Sequence, residues 1–215
     1  MSADAKLREE VCRTGGSLFN RGLTHGSTGN ISVAHPDGGW LMTPTGSSLG
    51  TLDPARLSRL DAAGKLMSGD APTKEAFLHT TMYAKRSQGR SKARAVVHLH
   101  STHSVAVSCL DGIDHANCLP PITAYNVMRI GTLPLVPYYP PGDEDLAQAV
   151  GALAGEHHAV LLANHGPVVA GTSLSAATDA IEELEETARL YLMLHGRSIR
   201  MLTPDQVAEL RMRFG

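Results

Sequence analysis

Two short apolar runs that end in histidine constrain this chain more than any other feature. They are Ala95-Val96-Val97-His98-Leu99-His100 and Ala159-Val160-Leu161-Leu162-Ala163, the second followed by Asn164-His165-Gly166. Runs this short, apolar at nearly every position and rich in aliphatic residues, fit strands covered on both faces. Strand residues i and i+2 point to the same side, so His98 and His100 share a face. Two imidazoles so placed can grip one metal ion, although the same pattern also fits two satisfied core histidines. His165 is the third candidate, because sites in α/β sheets form at strand ends. A three-histidine site with an open position suits a catalytic metal, most simply Zn²⁺ at about 2.0–2.1 Å per nitrogen. Mn²⁺ or Co²⁺ can occupy three imidazoles and waters as well.

The rest of the chain supplies a sheet and its cover. Residues 7–23 have helical spacing, with Leu7, Val11, Leu18 and Phe19 on one side. A turn rich in Gly, Ser, Thr and Asn leads into a strand at 31–33. A second strand at 39–43 ends in Pro44-Thr45-Gly46-Ser47-Ser48, and a further strand and turn follow at 57–66. Thr73-Lys74-Glu75 opens a helix with Thr73 as N-cap after Pro72, and Phe77, Leu78, Met82 and Tyr83 form its apolar face. Ser101 or Thr102 caps a helix running to Val107. Strands are expected at 133–138 and 168–170, and helices at 143–153 and 174–194, the last striped by Ile181, Leu184, Ala188, Tyr191 and Leu192. The alternation predicts one α/β domain over residues 1–215, a mixed and mostly antiparallel sheet covered by helices.

Composition removes several functions. The formal net charge is −2 and aromatics are 4% of the residues, so no basic, aromatic-studded face is available for nucleic acid. No run approaches the roughly 20 apolar residues of a membrane span, and the charged N-terminus is unlike a signal peptide. Cys12, Cys109 and Cys118 form no C-x-x-C pair, which predicts free, buried thiols in a reducing cytoplasm. Among the 11 histidines, His103 stands just past the H-x-H pair. It can orient a ligand imidazole or serve a capping or surface role. His79, His157 and His158 read as structural. The run Glu182-Glu183-Leu184-Glu185-Glu186 reads as a solvated helix face. Glu75, in a first helical turn, reads as a dipole-stabilising or capping group, and Lys74 as a solvated side chain. Gly29-Asn30 and Thr45-Gly46-Ser47-Ser48 fit an anion cradle of backbone N–H groups and hydroxyls, or ordinary turns.

Taken in order, the segments GLTHGSTGNISV, LMTPTGSSLG, PTKEAFLH, AVVHLHSTHSVAVS, LVPYYPPG and AVLLANHGPVVAG resemble the class II aldolase/adducin family from Gly22 to about Leu194. The resemblance implies that His98, His100 and His165 bind a divalent metal and that Glu75 is the catalytic acid/base. It implies phosphate binding at Gly29, Asn30, Thr45 and Gly46, a phosphorylated small-molecule substrate and a homotetramer with sites near subunit boundaries. A catalytic tyrosine near such a boundary would fall at Tyr125. Sugar-phosphate aldolases of the family carry two serines before the catalytic Glu, where this chain has Thr73 and Lys74. A lysine there places a positive charge beside a phosphate or carboxylate. The resemblance therefore implies decarboxylation of a 3-oxo-tetronate 4-phosphate to dihydroxyacetone phosphate and CO₂ through an ene-diolate. The alternatives are a fuculose-type aldolase, an epimerase, a dehydratase or a non-catalytic adducin-like module.

Overall fold

The apolar runs do become strands, and alternation along each one divides the interior into two cores. A computed structural model describes residues 2–88, 92–140 and 142–214. Pro141, within the LVPYYPPG segment, lies outside them. The strands are β1 (Asn30–Ala34), β2 (Trp40–Met42), β3 (Ser58–Leu60), β4 (Leu66–Ser68), β5 (Ala95–His98), β6 (Leu135–Val136), β7 (Ala159–Leu162) and β8 (Gly166–Gly171). They join in one sheet of order β4-β3-β2-β1-β5-β8-β7-β6. Every pairing is antiparallel except β6 with β7. The expected single α/β domain with a mixed, mostly antiparallel sheet is what forms.

On β5 and just past its end, Ala95, Val97 and Leu99 enter one core with Leu161, Val169 and the helices α1 (Ala3–Asn20), α3 (Thr102–Ser108) and α6 (Leu174–Leu194). Val96 points the other way, with Val160, Val168 and Ala170, against α2 (Ala76–Lys85) and α5 (Glu144–Ala154). His98 shares the parity of Val96, so it faces the layer that carries α2. Val96, Val97, Val160 and Leu161 are fully buried, each stabilising the fold by about 1.5–3 kcal/mol relative to exposure. Two helices have no counterpart in the sequence reading. They are α4 (Ala124–Arg129), one and a half turns long, and α7 (Pro204–Phe214), which has no buried residue to give it a clear apolar stripe.

Three expectations need correction. Thr73 does not cap a helix beginning beside it. The helix begins at Ala76, Glu75 occupies the N-cap position, and Thr73 Oγ1 accepts the Glu75 N–H at 3.2 Å. The acidic run is not uniformly solvated, because Glu185 is only 8% exposed. Its carboxylate accepts the backbone N–H groups of His103 and Ser104 at 2.9 and 2.8 Å, closing the N-terminus of α3. His103 Nδ1 meets the same carboxylate at 2.8 Å, which decides for its capping role. Of the three thiols Cys118 is buried, Cys12 is half-buried and Cys109 is exposed.

Candidate active site

Three backbone features bring the histidines together. β5 and β8 are neighbours in register, His98 opposite Val168, so the end of β5 lies beside the start of β8. A three-residue connection, Ala163 to His165, joins β7 to β8, with Leu162 paired to Gly166. Asn164 takes a left-handed conformation there (φ 55°), a shape Asn tolerates. Gly166 (φ 148°) is pressed against β5: a Cβ on it would lie 2.4 Å from the Leu99 carbonyl oxygen. Only glycine permits that approach, and it is what carries His165 to His98 and His100. Gly166→Ala is expected to destabilise the fold by more than about 1 kcal/mol and to weaken metal binding, checked by thermal denaturation and metal titration.

The three Nε2 atoms form a near-equilateral triangle with sides of 3.1, 3.3 and 3.2 Å. A tetrahedral ion with Zn–N bonds of about 2.0–2.1 Å would hold nitrogens roughly 3.3–3.4 Å apart, so the triangle fits one. The chemistry of the donors agrees. His98 Nδ1 lies 2.8 Å from the Pro167 carbonyl oxygen, to which it donates, leaving Nε2 as the bare lone pair. Burial pushes the His98 imidazole toward its neutral form and pushes His100 down to about 3. The Glu75 carboxylate closes the group, 3.2 Å from His165 Nε2 and 3.5 Å from His98 Nε2. All four donor atoms lie within 4.8 Å of one another. Acceptors converging this closely fit around a cation and repel one another without one.

Glu75 is aimed by its surroundings and not by its own helix, since its side chain makes no capping bond. Thr73 N–H donates to the Thr43 carbonyl and Thr45 N–H to the Ala71 carbonyl, which ties the segment before α2 to the loop after β2. Asn30, paired with His98 across β1 and β5, donates from Nδ2 to Glu75 Oε2 at 2.7 Å. Burial works against the charged carboxylate, but the positive charge that His98 and His165 carry when protonated, with the Asn30 amide, outweighs it and holds Glu75 below the usual carboxylate range.

All six residues expected to bind the substrate or its phosphate, Gly29, Asn30, Thr45, Gly46, Thr73 and Lys74, line one cavity of about 380 Å³ together with Glu75 and His100. Asn30 is only 5% exposed, and its amide is committed to Glu75 and His79. A second cavity of about 530 Å³ shares His100 with the first and is lined also by His165, His25, Tyr138, Tyr139 and Asn164. Sequence reasoning passed over the last four, although they lie in the GLTHGSTGN, LVPYYPPG and AVLLANHG segments. Tyr125 sits on α4, 60% exposed, and lines neither cavity.

His79, read as structural, is fully buried beside the site, and burial pushes it down to about 3. The unfolded chain protonates this residue near pH 6.5. Between about pH 6.5 and 3 the unfolded state therefore binds more protons, and stability falls as the pH drops through that window. Glu75 and His98 are the charged or titratable groups acting on it, and burial dominates both. The loss contributed by His79 is expected to approach 1.4 kcal/mol per pH unit. Denaturation midpoints of the native protein and His79→Gln, compared from pH 7 to 4, test this: the variant should show the shallower decline.

A mixed sheet between helices, with three histidines and a glutamate gathered at the β5–β8 junction, is an architecture that can hold one divalent metal ion at the mouth of a cavity. Residues 9–192 match the Class II Aldolase and Adducin N-terminal domain, and the chain belongs to that family. It is 52% identical over 208 residues to 3-oxo-tetronate 4-phosphate decarboxylase of Escherichia coli strain K12, covering 97% of this chain and 96% of the relative. A more distant relative is L-fuculose phosphate aldolase of the same organism, 33% identical over 189 residues, covering 87% and 83%. Among solved structures, Escherichia coli YgbL superposes with a TM-score of 0.94 at 51% identity, over 98% of this chain and 100% of that one.

Proposed function

We propose that this chain is a metal-dependent carboxy-lyase that converts 3-oxo-tetronate 4-phosphate into dihydroxyacetone phosphate and CO₂. The observation that carries the reading is one cluster, Glu75 with His98, His100 and His165, standing between two cavities, one of them holding Lys74. The substrate has a phosphate at one end, a carboxylate at the other and a carbonyl between them. Its phosphate suits the Lys74 side, where the Gly46 N–H and the Thr45 and Thr73 hydroxyls add donors. Its carboxylate then extends toward His25, Tyr138 and Tyr139. That division favours decarboxylation, because a fixed cation against the carboxylate would oppose the departure of its charge.

His98, His100 and His165 would hold the metal. When bound, a divalent ion supplies Lewis-acid stabilisation of negative charge on the substrate's carbonyl oxygen. The C1–C2 bond breaks, CO₂ leaves, and the electron pair at C2 is delocalised onto the C3 oxygen. Glu75 delivers a proton to C2 and regains one from solvent, so one proton replaces the carboxylate. A bound anionic substrate excludes water and adds negative charge, and both raise the proton affinity of Glu75. Zn²⁺ is the ion we assign, from three imidazole donors. No helix among the described residues is long and apolar enough to cross a membrane. We place the enzyme in the cytoplasm as a homotetramer, with residues 1–215 forming one catalytic unit.

A coupled assay for dihydroxyacetone phosphate and CO₂, run on metal-loaded protein, tests the reading. Product from 3-oxo-tetronate 4-phosphate and none from L-fuculose 1-phosphate is the expected result; the reverse would make the chain an aldolase. Lys74→Met is expected to raise KM by about 10-fold to 100-fold, the worth of a hydrogen bond to a charged group. Steady-state kinetics in which KM stays unchanged would remove Lys74 from substrate binding.

A further inference from the structure

Behind Glu75 a chain of side-chain hydrogen bonds runs into the interior. Asn30 Nδ2 lies 2.7 Å from Glu75 Oε2, and His79 Nε2 lies 2.5 Å from Asn30 Oδ1. On the far side of the ring, Ser32 Oγ lies 2.6 Å from His79 Nδ1, and Tyr83 Oη lies 2.9 Å from Ser32 Oγ. Ser32 and His79 are fully buried, and Asn30 and Tyr83 are 5% and 7% exposed. The reaction described above uses none of these groups beyond Asn30.

Chemistry allows this chain one direction. An ionised carboxylate only accepts, so the Asn30 group facing Glu75 is its NH₂ and the group facing His79 is its carbonyl. A carbonyl only accepts, so His79 Nε2 carries the proton. Burial keeps the ring neutral, so Nδ1 is bare and accepts from the Ser32 hydroxyl. Ser32 Oγ in turn accepts from the Tyr83 hydroxyl. Each of the four contacts in the row then has one donor and one acceptor, in a consistent sense.

We propose that His79 is a positioning residue for the reaction, holding the Asn30 amide in the single orientation that fixes the Glu75 carboxylate toward the histidine cluster. Without the Nε2–H donor, the buried Asn30 carbonyl has no partner, and the side chain shifts to find one, drawing its NH₂ out of line with Glu75. The carboxylate then loses the donor that aims it at the reacting carbon. The Asn30 backbone stays paired in β1, so the walls of the phosphate cavity are unchanged. The loss therefore falls on kcat and spares KM.

The proposal rests on Glu75 as the acid/base, and its test separates the two ideas. In the zinc-loaded protein at pH 7, two-bond ¹H–¹⁵N correlation should show His79 as the neutral Nε2–H tautomer. An Nδ1–H or doubly protonated ring would overturn the directed chain, and this readout needs no activity. His79→Leu is expected to lower kcat on the order of 10-fold to 100-fold, with KM within about twofold. His79→Gln, which keeps a donor in reach of Asn30, should recover most of the loss. In an Asn30→Ala background, His79→Leu should cost less than about twofold more, because the residue acts through that amide. A folded His79→Leu with native kcat, or equal losses in both backgrounds, would overturn the proposal. Should His79→Leu fail to fold, His79→Gln and the tautomer decide. Full activity in Glu75→Gln would instead defeat the acid/base assignment and leave the tautomer result standing.

Discussion

Glu75→Gln is expected to lower turnover by about 10²-fold to 10⁴-fold while the protein keeps its metal, the usual worth of a general acid or base. The amide is nearly isosteric and can still meet Asn30, so the fold and both cavities should persist. What it cannot do is take up and release a proton at the reacting carbon. The three imidazoles remain, and three protein ligands suffice for a catalytic zinc. Steady-state turnover with metal analysis on the same preparation is the measurement. Near-native turnover would remove Glu75 from the chemistry. Loss of metal together with turnover would show that the carboxylate, 3.2 Å from His165 Nε2, acts chiefly as a ligand.

His100→Ala is expected to abolish metal binding and activity together. The triangle of Nε2 atoms loses a corner, and the two remaining imidazoles with Glu75 form a site of lower affinity and altered shape. His100 stands beyond the end of β5 and borders both cavities, so its removal empties space already open to solvent and leaves the cores of the sheet untouched. Thermal stability measured without metal should therefore change little, while the stabilisation that added zinc gives the native protein should vanish in the variant. Stoichiometric metal retained in purified His100→Ala would overturn the ligand assignment.

How much of this site was legible before the structure differs from residue to residue. His98 and His100 stand out as a pair through i, i+2 spacing on an apolar strand, a pattern that two core histidines would share. His165 does so by ending a second apolar run before glycine. Glu75 is different: its position in a first turn reads equally well as a cap, and only resemblance to the family raised it above that. His79 reads only as structural because a histidine on the buried face of a helix carries no local sign of what it touches. Glu185 did leave a signal, since it falls one helical turn after Ile181 and just before Ala188 on the buried stripe of α6, where a carboxylate needs a partner. The tyrosines of the second cavity lacked any periodic mark.

Local pattern thus determined the strands and the two-faced burial that makes three layers, because these rest on neighbours two to four positions apart, and it offered His98, His100 and His165 as candidate ligands. Tertiary structure decided which groups meet. Asn30 and Glu75 are 45 residues apart, Asn30 and His79 49, His98 and Pro167 69, and His103 and Glu185 82. Those meetings depend on strand order, above all on β5 lying between β1 and β8. They depend also on the bare Gly166 backbone against Leu99, where any side chain would hold His165 away from its partners.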